Sequence, residues 1–428
     1  MRHAVPLLIL AGLLAADVAA ASSNNPNKSQ PHDSGGVTTE PVPTPDPTRL
    51  LDQIPDALPG DPLSPAGPTT PSAGNELLIL LNGAPGTLLA DYSLDARDDF
   101  AVRALGRRAL LVAVGGGRDP LALLDLLRLD QRVFLVQPNY THVAQFAAPV
   151  DAVPAGPRRA VPAAARHDPV VVGLIDTGVD AAHPALAGHA IEAVSVVDGG
   201  GPVGDHGTAL AALILSSGAG GGASPHLLAV NAFVLDATVS HLPLSDSRLL
   251  IKALDVAISR AVDVLNLSFV GPYDPSVKLL IEVATTDGMF VIAAAGNDGP
   301  GAPPAYPAAH ATVVAVTATD SGDRLYAAAN RGAYVELAAL GVEVTVPAVG
   351  GKYGISSGTS LAAARVSGLV AGLLGESGTI APADLRRLLA DTAVDLGAPG
   401  RDPDFGVGRV APGAAREAAS ALAALTDR

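Results

Sequence analysis

Across residues 169–415 the chain alternates short apolar runs with longer stretches of helical period, and this alternation restricts the fold more than any other feature. The runs 170–175, 227–234, 262–267, 289–295 and 312–316 each have the length of a strand. Residues 248–261 carry Leu249, Leu250, Ala253, Leu254, Ala257 and Ile258 on one side of a helix, and 361–374 and 382–390 read as two more. Strands separated by helices in this way predict an α/β fold, a doubly wound parallel sheet with helices on both faces. Aromatic residues make up only 3% of the 428 and tryptophan is absent, so Ala, Val and Leu must build the core.

The remainder of the chain divides by composition. Arg2 and His3 precede an apolar stretch over 7–16 and the small residues Ala19-Ala20-Ala21, which predicts an export signal over 1–21. Residues 22–74 hold 12 of the 36 prolines among Ser, Thr, Asn and Asp, a composition that predicts a disordered spacer. Over 75–145 a small α+β unit is expected, in the order β-α-β-α-β. Its strands are 76–81, 109–114 and 132–137; its helices are 94–107 and one opened by Asp119-Pro120 and running to Leu127. Residues 146–168 form a Pro- and Ala-rich linker with Arg158, Arg159 and Arg166, where processing is expected, and 416–428 a C-terminal helix or tail. No later segment has about 18 uninterrupted apolar residues, so no membrane anchor is expected.

Three short blocks carry chemistry. Asp176 ends the first strand of the large unit, in Asp176-Thr177-Gly178, where open α/β sheets place ligands. His206, in Asp205-His206-Gly207-Thr208, opens a helix and can move a proton near neutral pH. Ser360, in Gly358-Thr359-Ser360-Leu361-Ala362, also opens a helix, whose dipole favours developing negative charge. A serine hydroxyl becomes a nucleophile when a base takes its proton and a third group holds that base in one tautomer. His183, seven residues past Asp176, competes for the role of base and is assigned a structural one.

Asp, then His, then Ser is the order found in subtilisin. On these blocks residues 169–415 resemble the subtilisin-like serine peptidases, the subtilases. The resemblance implies an Asp176–His206–Ser360 triad and an oxyanion hole from the side chain of Asn297 and the backbone N–H of Ser360. It implies a substrate-binding strand at Ser268, Phe269, Val270 and Gly271, with Val270 where the family usually carries Gly. Ala294, Gly296 and Ala305 would line the primary pocket, with Asp298 at its rim. Unit 75–145, ending in Gln137-Pro138-Asn139-Tyr140, resembles the family's propeptide, which implies an intramolecular chaperone and inhibitor. Leu361 stands where the family usually has Met, so no methionine sulfoxide can form beside the nucleophile. Segment 216–222, Ser-Ser-Gly-Ala-Gly-Gly-Gly, replaces a loop that often holds calcium and offers no carboxylate, so no metal and no cofactor is expected.

These features together predict a secreted or periplasmic serine endopeptidase acting on polypeptides and made as a self-processing precursor. A formal charge of −15 argues against nucleic acid or an anionic membrane as partner. The absence of cysteine removes disulfides, thiolate metal sites and a thiol nucleophile. Two rivals remain. Asp176-Thr177-Gly178 with Asp320-Ser321-Gly322 could form the paired carboxylates of an aspartic peptidase. The other rival is a catalytically silent subtilase fold that only binds peptides.

Overall fold

The computed structural model describes residues 72–144, 169–218, 224–235, 242–378 and 380–426. The expected export signal, most of the spacer, the processing linker and the greater part of segment 216–222 lie outside the described residues.

The N-terminal module starts three residues earlier than the composition suggested. It comprises β1 (Ser72–Leu81), α1 (Leu88–Asp91), β2 (Asp95–Val102), β3 (Arg107–Ala113), α2 (Pro120–Arg128) and β4 (Val133–Ala144). The strands run antiparallel in the order β2-β3-β1-β4. The helix expected over 94–107 is a correction: most of that stretch is strand β2. Its charged residues suit an exposed edge, and its backbone bonds go to β3, with Arg108 Nε 2.5 Å from Asp99 Oδ1 across the pair. Ladder pairing outweighs local helical preference here. Helix α2 starts as read, with the Asp119 carboxylate accepting from Leu121 N at 3.0 Å and Pro120 in the first turn. Its Leu123, Leu124 and Leu127 pack on Leu77, Ile79, Leu110 and Val112 of the sheet.

The large module is the predicted α/β layer. In chain order it has β5 (Val171–Asp176), β6 (Ile191–Ser195), α3 (Asp205–Gly218), β7 (His226–Asn231), β8 (Val234–Leu235), β9 (Pro243–Asp246), α4 (Ser247–Ser259), β10 (Val264–Leu267), β11 (Phe269–Val270) and α5 (Pro275–Thr286). There follow β12 (Phe290–Ala294), β13 (Val314–Thr319), β14 (Val335–Leu340), the hairpin β15 (Val344–Ala348) and β16 (Lys352–Ser356), α6 (Thr359–Ser377), α7 (Pro382–Asp391) and α8 (Pro412–Thr426). Seven strands pair in parallel in the order β14-β13-β12-β10-β5-β7-β6. Alternate residues such as Val172, Leu174, Leu227 and Ile292 pack with α3 and α6, while α4 and α5 contact each other and the sheet separately.

Strand order reverses at β5: later strands extend one way through β10 and the other way through β7. The crevice at the carboxyl ends of β5 and β10 is therefore the expected ligand position. Beyond the opposite edge, segment 401–412 closes strand β14. Ala338 N donates to Gly408 O at 2.9 Å, Val410 N donates to Ala338 O at 2.9 Å, and the Arg401 guanidinium donates to Val335 O at 2.8 Å. Gly406 makes this close approach possible: its φ is +66°, and a Cβ there would stand 2.2 Å from Glu336 O. Gly406→Ala should therefore lower stability by roughly 1–3 kcal/mol or more, read as a shift of the urea midpoint; an unchanged midpoint would remove this role from the closing segment.

Candidate active site

Asp176 is the last residue of β5 and fully buried. Its two carboxylate oxygens lie 2.7 and 2.9 Å from Nδ1 of His206, the second residue of α3. Asp176 Oδ1 also accepts from Thr177 N at 2.7 Å and from the Thr177 hydroxyl at 3.1 Å. That hydroxyl in turn accepts from Gly207 N at 2.9 Å, tying the strand end to the helix start. The approach needs glycine, because a Cβ on Gly207 would stand 2.3 Å from Thr177 O. A neutral imidazole that donates from Nδ1 to a carboxylate presents a basic lone pair at Nε2. Thr177 was no more than part of a motif in the sequence, yet it orients the aspartate.

Ser360 is the second residue of α6 and 1% exposed. Its neighbour Thr359 organises the far side of the crevice. Asn297 Oδ1 accepts from Thr359 N at 3.0 Å and from the Thr359 hydroxyl at 2.9 Å. Gly296 N donates to that same hydroxyl at 3.1 Å. Committing its oxygen in this way turns the Asn297 amide nitrogen toward the nucleophile. Asn297 Nδ2 and Ser360 Oγ each lie 3.3 Å from the point a Gly358 Cβ would take, so the two groups converge on one small space. The 296–298 loop is held by Asn330, whose Oδ1 accepts from Asp298 N at 2.7 Å, and Gly296 adopts φ +111° against that side chain. Thr359 and Asn330 carried no signal that separates them from ordinary turn residues.

Ser268 lies between β10 and β11, its hydroxyl donating to Asn266 Oδ1 at 2.8 Å and standing 3.4 Å from Ser360 O. Phe269 and Val270 form β11, and Gly271 bridges Tyr306, with Gly271 N to Tyr306 O at 2.9 Å. Strand β4 of the N-terminal module lies antiparallel on β11, with Ala144 facing Phe269 and Val143 facing Val270. On its other side β4 pairs with β9, Thr141 to Asp246, His142 to Ser245 and Val143 to Leu244. Val270 is thus enclosed, 8% exposed, beneath the incoming strand. Ala294 is part of the buried core at the end of β12, and Ala305 is buried beside Tyr306.

The other sequence candidates separate from this group. His183 is structural: its Nδ1 accepts from Ala185 N at 3.0 Å and its Nε2 meets Lys352 O at 2.9 Å. Asp320 holds its own turn, accepting from Gly322 N at 2.8 Å and from Arg324 N and Nε at 2.9 and 2.7 Å. The Arg324 backbone N–H and side chain keep its carboxyl below the ordinary range. An aspartic dyad requires two carboxyls sharing one proton, whereas the oxygens of Asp320 are taken by its own turn and those of Asp176 by Thr177 and His206. Among the described residues no group of three or more His, Asp or Glu side chains could hold a metal ion, and no helix is long and apolar enough to cross a membrane.

Comparison with known proteins agrees with this geometry. Residues 167–408 match Peptidase S8, the subtilase family. Subtilisin amylosacchariticus of Bacillus subtilis subsp. amylosacchariticus is 33% identical over 237 residues, which is 53% of this chain and 61% of that protein. Subtilisin of Bacillus pumilus is 32% identical over 237 residues, 53% of this chain and 85% of that protein. Fervidolysin from Fervidobacterium pennivorans, a keratinolytic enzyme related to subtilisin, superposes with a TM-score of 0.65 at 22% identity, over 80% of this chain and 61% of its own, a likeness of fold. The chain thus spans 61% of the length of the first of these relatives and most of the second. A family match over more than half of the residues, spanning the parallel sheet with Asp176 at a strand end and His206 and Ser360 at two helix starts, establishes that this chain belongs to the subtilase family.

Proposed function

We propose that the chain is an exported serine endopeptidase, made as a precursor that processes itself. The observation that carries this reading is the pair of short contacts from the buried Asp176 carboxylate to His206 Nδ1, 2.7 and 2.9 Å. A carboxylate in that place fixes the tautomer and stabilises the imidazolium that forms during reaction.

On this reading His206 Nε2 takes the Ser360 hydroxyl proton as Oγ attacks the scissile carbonyl carbon. The carbonyl oxygen becomes an oxyanion, held by the Asn297 amide and the Ser360 N–H. His206 then gives its proton to the leaving amine as the C–N bond breaks, leaving an ester on Ser360. Water, deprotonated by the same imidazole, hydrolyses that ester and restores the hydroxyl. The commitment of Asn297 Oδ1 to Thr359 supports this assignment, because a preset donor needs no reorganisation. Asn297→Ala should lower kcat on the order of 10²–10³-fold with KM little changed, a magnitude taken from subtilisin, a relative of this chain. An equal kcat would remove Asn297 from the oxyanion hole.

The substrates are polypeptides bound as an added strand, and the first of them is the chain itself. Antiparallel pairing of β4 with β11 and β9 supports a role for the N-terminal module as folding template and inhibitor. Contacts elsewhere hold it in place: Arg248 reaches Asp98 at 2.9 Å, and Ala104 N donates to Asp255 Oδ1 at 2.7 Å. The maturation cut then falls after Ala144 and before the large module, within residues 145–168. The expected outcome for the purified full chain is loss of roughly its first 145–168 residues by intact mass, while Ser360→Ala stays whole. Cleavage of both chains at the same bond would refute self-processing; with neither cut, even after prolonged incubation, the silent binding fold becomes the better reading.

A further inference from the structure

His142 of β4 is 1% exposed, and so is Asp274, which precedes α5 in the large module. His142 Nε2 stands 3.3 Å from Asp274 Oδ2. The two oxygens of Asp274 have separate work. Oδ1 caps the helix, accepting from Ser276 N at 3.0 Å and Val277 N at 3.1 Å, and also takes Gln137 Nε2 at 2.9 Å. Oδ2 faces away from the helix, toward the Ser247 hydroxyl at 2.6 Å and the imidazole. Capping alone could be done by a neutral Asn or Ser. The second oxygen and its charge address a donor that arrives with the incoming strand.

The walls fit the same guest. The Phe269 ring meets the imidazole edge-to-face, centroids 5.9 Å apart at 87°. Gly271 leaves room for it, since a Cβ there would stand 2.1 Å from His142 Nδ1. Gly271 has no positive φ, so space for the guest, not backbone strain, is what requires glycine here. Burial by itself would raise the Asp274 carboxyl; hydrogen bonding and charge from His142, with bonds from Ser247 and Gln137, outweigh it and hold the group ionised below its ordinary range. A buried carboxylate facing an apolar guest would lose one of these bonds and keep its desolvation cost.

We propose that this pocket is a specificity subsite: once β4 leaves, it takes the imidazole of a histidine in a peptide substrate, two residues before the one facing Phe269, and Asp274 Oδ2 selects it. The proposal rests on the peptidase reading above. Neither Asp274 nor His142 stands out in the sequence, because each is an ordinary turn or strand residue until the two modules meet.

The test uses the full chain, expressed whole and left to process itself, and two internally quenched peptides. One carries the chain's own residues 140–147; the other is its His142→Leu counterpart. The ratio of their kcat/KM values is independent of the fraction of active enzyme. The wild type should prefer the histidine peptide by roughly tenfold or more. Asp274→Asn, which keeps a capping oxygen, and Gly271→Ala, which fills the imidazole space, should each bring the ratio toward one. A wild-type ratio near one overturns the proposal, and so does a preference that survives in both variants. Failure of the peptidase reading looks different: neither peptide and no casein would be cut.

Discussion

Strands β9 and β11 face each other across a gap one strand wide, and the backbone groups along that gap can be satisfied by only one kind of object, another extended chain. The protein supplies that chain from its own N-terminal module. The pairing puts a segment of the same polypeptide where a substrate would lie, buries Phe269 and Val270, and brings Gln137 and His142 onto the starts of α4 and α5. The module is thus held by backbone pairing that any peptide could imitate and by side chains that few peptides carry. On the proposed reading, inhibition and specificity would have a common physical origin.

The chemistry depends on a different constraint, the reversal of strand order at β5. It opens a crevice at the carboxyl ends of β5 and β10, into which α3 and α6 both begin. Each helix start delivers one side chain of the proposed triad, and each is locked by a threonine: Thr177 joins Asp176 to the α3 start, and Thr359 joins Asn297 to the α6 start. These two hydroxyls set the orientation of the groups that would orient the base and hold the oxyanion.

Much of this was legible in the chain. The five apolar runs became strands within a few residues because, being covered on both faces, they are nearly continuous in hydrophobic residues. Helix α6 was visible for the same reason. Strand β14 was not, since Glu336 interrupts its apolar pattern and is buried there against Arg386. The helix wrongly expected over 94–107 failed because β2 is a charged edge strand, defined by its partner β3 and not by its own period. The three residues of the proposed triad stood out because each sits in a short motif with a glycine one or two residues away. Thr177, Thr359, Asn330 and Asp274 did not, because their roles rest on contacts 27 to 137 residues long in sequence, which no local pattern records.

The central claim is that Ser360 is an activated nucleophile whose cleft is filled by β4. A serine-directed fluorophosphonate, with the adduct mapped by peptide mass, examines it most directly. The account predicts a single adduct on Ser360 in the processed chain, and little in the intact precursor, where β4 covers the site. An unlabelled Ser360 in the processed chain, or labelling as rapid before processing as after it, would contradict the account.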